Sequence, residues 1–147
     1  MRIEIDQSNK IEQTNKDTVI GLSNGKVFTV VISRQIKRRM KEEFRMRGKQ
    51  NLFKYRCFIA GVVLMIKYAK IERVSIIVID KEYYGKEIIL KSMFLEMWSR
   101  YFSYIPDIIF DNIGKKSNAH IAAYHTMKGK YAFDKKLDFY ELSKLCL

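Results

Sequence analysis

The sequence predicts a single α/β domain built on a mixed sheet, with a strand hairpin first and alternating helices and strands after it. Two turn-bounded β-branched runs joined by Asn24-Gly25 supply the antiparallel part. A nearly continuous apolar run, Val74 to Ile79, has the character of a strand buried on both faces. At 147 residues, with 48% hydrophobic and 13% aromatic content, the chain suffices for one sizeable core and does not need two.

Each element has a local reason. Arg2 to Asp6 alternates, with Ile3 and Ile5 on one face, and reads as a first strand before the turn-like Gln7 to Asn9. Val19 to Leu22 and Val27 to Ile32 are the hairpin strands. Ser33 is a natural N-cap for a Lys- and Arg-rich helix from Arg34 to Arg47, which Gly48 interrupts. A second helix from about Asn51 to Tyr68 repeats apolar residues at helical spacing and is expected in the core. After the strand Val74 to Ile79, a helix from Lys86 to Phe102, a short strand Ile108 to Phe110 and a helix from Asn118 to Met127, capped by Ser117, follow in turn. Lys135 to Leu147 reads as a small C-terminal helix or tail. Three strands, helix, strand, helix, strand, helix implies a mixed sheet with helices packed against it.

Charge narrows the partner. Lys and Arg number 28 against 16 Asp and Glu, a net charge of +12 and a pI near 9.7, which makes a polyanion, and nucleic acid first, the expected partner. Much of the excess lies in one stretch from Arg34 to Arg56, which also holds Lys54, with Arg34, Lys37, Arg38, Arg39, Lys41, Arg45, Arg47 and Lys49 as candidate phosphate contacts. Lys115 and Lys116, with Lys128 and Lys130, form a second group around the last long helix, whose N-terminus at Ser117 can hold a phosphate. Phe44, Phe53 and Tyr55 are read either as stacking platforms for bases or as core.

No run approaches the roughly 20 apolar residues a spanning helix requires, and the polar start MRIEIDQSNK resembles no signal peptide. Cys57 and Cys146 have neither metal-ligand spacing nor a disulfide framework, so a soluble protein of the reducing cytoplasm, with no membrane partner, is expected. The chain lacks the phosphate loop, HExxH, GxSxG and GxGxxG, which leaves ATP hydrolysis, zinc proteolysis, esterase chemistry and dinucleotide redox without a basis.

Acids stand at intervals along this frame: Asp6 in IEIDQS, Asp80 and Glu82 in VIDKEYYG, and Asp111 in FDNIGKKSNAH, which also carries His120. With the element order, these positions resemble the ribonuclease H-like fold, whose members gather carboxylates at the end of the first strand, near the end of the fourth and around the last helix. The resemblance runs from Arg2 to about Gly129 and leans towards resolvase-type members. It implies a metal-dependent endonuclease acting on structured or branched DNA, or on RNA-containing duplex, with DNA ahead of RNA. Asp6, Asp80, Glu82 and Asp111 would be the ligands of Mg2+ or Mn2+, and Asp6, Asp80, Glu82 and His120 the catalytic set. Two-ion phosphodiester hydrolysis needs hard oxygen ligands holding cations about 4 Å apart, and carboxylates at adjacent strand ends supply them. If the fourth strand continues through Lys81, Asp80 and Glu82 share a face. His120 stands where the family places a final acid and can ligate manganese, donate a proton, or simply bond backbone at its helix start. His125 falls on another helix face, and Glu4, beside Arg2, belongs to a solvated or salt-bridged surface.

Two other readings use the same residues: a non-catalytic nucleic-acid binder whose acids are structural, and a module that binds an acidic protein. A homodimer would suit symmetric cutting, but no interface stripe marks one.

Overall fold

The computed structural model describes all residues from 1 to 147. Its first three strands, β1 (Arg2–Ser8), β2 (Thr18–Ser23) and β3 (Val27–Ile32), form an antiparallel meander. The tight β2–β3 turn needs a left-handed residue, which Gly25 supplies at φ +99°. Helix α1 (Arg34–Met46) starts where Ser33 Oγ accepts from Ile36 N at 3.3 Å. A single 3-10 turn, Gln50–Leu52, leads into α2 (Phe53–Ala69), then β4 (Ile76–Asp80), α3 (Glu87–Trp98), β5 (Asp107–Asp111), α4 (Asn118–Met127), β6 (Lys135–Lys136) and α5 (Phe139–Cys146). The six strands lie in the order β5-β4-β1-β2-β3-β6. β4 runs parallel to both β1 and β5, and β6 runs parallel to β3.

The sheet is covered unequally. Ile3, Ile5, Ile20, Ile32, Ile77 and Ile79 project to the face shared by α1, α2, α3 and α5, within a core of 33 buried residues. On the opposite face α4 packs on β1, β2 and β3, and the buried apolar set there is only Val19, Val31 and Ala123. Two glycines make these contacts close. A Cβ on Gly21 of β2 would lie 2.7 Å from the Ala119 carbonyl of α4, and one on Gly61 of α2 would lie 2.6 Å from Ile20 Cδ1.

Three expectations are corrected. Within β4, Ile77, Val78 and Ile79 are buried but Ile76 is only half-buried, because α4 stops short of β4 and β5 and leaves that part of the face open. Ile109 of β5, on the same face, is likewise exposed. Helix α3 ends at Trp98, four residues early: Trp98 Nε1 donates to Tyr104 O at 2.6 Å, and Phe102 folds back to stack on the indole at 3.8 Å. The C-terminal segment holds the small helix expected there, α5, but a strand precedes it. Its Lys135–Lys136 strand extends the sheet beside β3, held by Leu137 N donating to Val31 O at 2.9 Å and by the Asp134 carboxylate accepting from Thr29 N at 2.8 Å. Two lysines on a sheet edge carry no apolar alternation, so the sequence offers no strand signal there. No helix is long and apolar enough to cross a membrane.

Candidate metal centre

The site arises from the register of two parallel strands. Ile5 of β1 pairs with Ile79 of β4, so the next residues, Asp6 and Asp80, stand side by side at the C-terminal strand ends. Strand alternation turns both away from the large core, towards the face that α4 only partly covers. Glu82 arrives differently. β4 ends at Asp80, so Glu82 reaches the acids from the following loop and not by sharing a strand face. One carboxylate oxygen from each of Asp6, Asp80 and Glu82 lies within 4.8 Å of the other two.

Each acid is held in place. Asp6 Oδ1 accepts from Gln7 N at 2.7 Å, and its Oδ2 lies 2.7 Å from His120 Nδ1, brought in by the first turn of α4. Asp80 Oδ1 accepts from Ile113 N at 3.1 Å, and Glu82 Oε2 is 3.6 Å from Lys10 Nζ. Behind them the buried Tyr83 hydroxyl accepts from Gln7 Nε2 at 3.3 Å and donates to Glu12 Oε1 at 3.1 Å, while burial pushes this phenol well up. The acids open into a cleft of about 270 Å3 that has no hydrophobic lining residue and also receives Asn112 and Lys115.

Burial and mutual repulsion set the charge state. Desolvation raises Asp6 above the ordinary carboxylate range, assisted by the Asp80 charge and opposed by the bonds from His120 and Gln7. Glu82 is pushed up from 4.5 to about 7, first by burial and then by the charges of Asp6 and Asp80, with Lys10 pulling the other way. Three carboxylates thus compete for one ammonium and one imidazole. A hard divalent cation fits this all-oxygen donor set and would relieve the repulsion.

Asp111 stands apart. It neighbours Asp80 in the β4–β5 register, but it is exposed, lies outside the group of three, and uses Oδ1 to accept from Asn112 N at 2.8 Å. His120 bonds a carboxylate instead of backbone, and Glu4 takes Arg2 at 3.5 Å and the Ser117 hydroxyl at 3.1 Å.

The basic residues divide by helical phase. Arg34, Arg38, Lys41 and Arg45 follow one exposed stripe of α1, although Arg45 is paired with Glu42. Lys37 is a correction: it is fully buried, its Nζ donating to Gln13 O at 2.7 Å and Thr18 Oγ1 at 2.8 Å, and burial pulls it down to about 8. It anchors the β1–β2 loop and is closed to phosphate. Arg39 lies over the Phe139 ring at 3.7 Å, tying α1 to α5, while Arg47, Lys49 and Lys116 are exposed. Phe44 and Phe53 are core residues in edge contact at 6.1 Å, and Tyr55 meets Tyr83 edge-on at 5.3 Å.

Gln7, Lys10, Ile113 and Tyr83 were not anticipated as site residues. Gln7 follows Asp6 and Tyr83 follows Glu82, so proximity in sequence was the one signal available for those two. Lys10 and the Ile113 amide enter through loop geometry, which periodicity does not encode. Compared with known proteins, the chain matches no family model, no curated protein and no solved structure.

Proposed function

We propose that the protein is a divalent-metal-dependent nuclease of ribonuclease H-like type, acting on structured or branched DNA ahead of RNA-containing duplex. The observation that carries this reading is the convergence of Asp6, Asp80 and Glu82 within 4.8 Å at the ends of adjacent parallel strands. The strand order and the net charge of +12 support it. Asp6, Asp80 and Glu82 would hold Mg2+ or Mn2+. When bound, such an ion supplies Lewis-acid stabilisation of phosphoryl oxygens and a water of lowered pKa.

The chain's own groups do the positioning. Gln7 N and Ile113 N fix the carboxylates of Asp6 and Asp80, and Lys10 tempers the charge on Glu82. Lys115 brings a cation to the cleft wall, suited to a non-bridging phosphate oxygen. With Nδ1 engaged by Asp6, His120 keeps Nε2 for proton exchange with the reacting group.

A second reading, a non-catalytic nucleic-acid-binding domain, draws on the same backbone bonds to Asp6 and Asp80, since carboxylates often serve only to fix turns. Incubating wild type and Asp80→Asn with duplex, junction and hybrid substrates, with and without Mn2+, separates the two. The nuclease reading expects metal-dependent cutting by wild type, with the variant binding as well or better but cutting at least about 100-fold more slowly. Binding without cutting by both proteins would leave the non-catalytic domain.

A further inference from the structure

A larger cavity, of about 460 Å3, is lined in part by Glu12 and Tyr55, both of which touch Tyr83. Three lysines from three elements line it: Lys41 on α1, Lys54 in the first turn of α2, and Lys86 at the start of α3. None is in an ion pair. Gln50 and Asn51 add neutral amide donors. Glu12 is the one acid on the wall, and its Oε1 is taken by the Tyr83 hydroxyl. Three ammonium groups facing a single carboxylate leave a net positive charge around the space, and this excess favours an anion there. The acid-free first turn of α2 leaves that field unopposed.

The cavity is joined to the acids through shared side chains. Tyr83 adjoins Glu82 in sequence and accepts from Gln7, which adjoins Asp6; Lys54 Nζ lies 6.0 Å from the Tyr83 ring centre. Glu12 on the cavity wall is thus two hydrogen bonds, through the Tyr83 hydroxyl, from Gln7 beside Asp6. We infer that Lys41, Lys54 and Lys86 form a second phosphate subsite, which seats the nucleic-acid backbone beside the reacting position. This rests on the nucleic-acid reading above and adds to it the path of the strand. The stretch rich in Lys and Arg contributes Lys41 and Lys54 to the subsite, and Lys86 completes it from the start of α3.

The test compares two triple variants of equal charge by anisotropy of a fluorescein-labelled DNA duplex across a salt series. One is Lys41→Gln, Lys54→Gln, Lys86→Gln. The other changes Lys26, Lys91 and Lys136, which are exposed on the hairpin turn, α3 and β6. The subsite variant is expected to flatten the plot of log affinity against log salt by about two to three units, and the control by less than about half a unit. Equal flattening by both, or none by the first, overturns the subsite while nucleic-acid binding stands. Wild type that binds no duplex overturns both. A thermal-shift titration with inorganic phosphate distinguishes a small-anion site: saturable stabilisation of wild type, with the duplex slope unchanged in the subsite variant, would also overturn the backbone assignment.

Discussion

On one face of the sheet Ile3, Ile5, Ile77 and Ile79 are sealed under four helices; on the other, Asp6 and Asp80 stand at the edge of a single ten-residue helix that stops short of β4 and β5. The same two strands supply both sets, because alternate residues point to opposite faces. The difference teaches where each kind of residue can live. Close packing on the first face tolerates no unpaired charge, whereas the notch left by α4 admits solvent and ions to carboxylates that the rigid strands behind them hold in register. A slip of one residue between β1 and β4 would exchange the two sets, so the apolar face also fixes the geometry of the acidic one.

The largest expected effect breaks the sealed face alone. Trp98 is 1% exposed and stacks between Phe94 at 5.1 Å and Phe102 at 3.8 Å, so Trp98→Ala should cost about 3–5 kcal/mol in chemical denaturation. The fraction that stays folded should still respond to Mn2+. A loss under about 1 kcal/mol would mean that the face is not packed as described.

A smaller effect sharpens the comparison from the other side. Gly21→Ala would push a Cβ against the Ala119 carbonyl of α4, and backbone yields less readily than the Ile20 methyl that Gly61→Ala would meet. About 1–3 kcal/mol of destabilisation is expected for Gly21→Ala. Because α4 carries His120, the His120 ring resonances should shift in NMR spectra of this variant more than in those of Gly61→Ala. Equal shifts would detach α4's seating from the site.

Much of this contrast was legible in the sequence. The alternation of IEID, the Asn24-Gly25 turn and the apolar run before Asp80 carry their physics locally, and they account for four of the six strands; the short apolar run Ile108 to Phe110 marks a fifth. The pairing of Asp6 with Asp80 required β1 and β4 to be neighbours, a condition that the element order leaves open and the β1–β4 register meets. What was not legible depends on tertiary contacts. Lys37 sits among exposed arginines on α1, and only the folded position of the β1–β2 loop makes it a buried donor to Gln13 and Thr18. Glu82 reaches the acids through a loop, and Lys54 and Lys86 meet across helices distant in sequence.

The smallest expected effect is also the one closest to chemistry. Asp6 and Glu82 hold their protons more tightly in the folded chain than in the unfolded one, so folding takes up protons. Stability contributed by the protonated carboxyls is therefore present at low pH and lost as pH rises from about 4.5 towards 7. In metal-free protein this should appear as a melting temperature lower at pH 7 than at pH 5 by about a few degrees, once other titrations are subtracted using a Glu82→Gln variant.

Thermal denaturation of wild type and Asp80→Asn at pH 7, titrated with Mn2+, tests the central claim most directly. A divalent ion held by Asp6, Asp80 and Glu82 should raise the wild-type melting temperature saturably and offset the carboxylate repulsion, while Asp80→Asn should lose most of that gain. The same Mn2+ response in both proteins, or none in wild type, would contradict the metal centre.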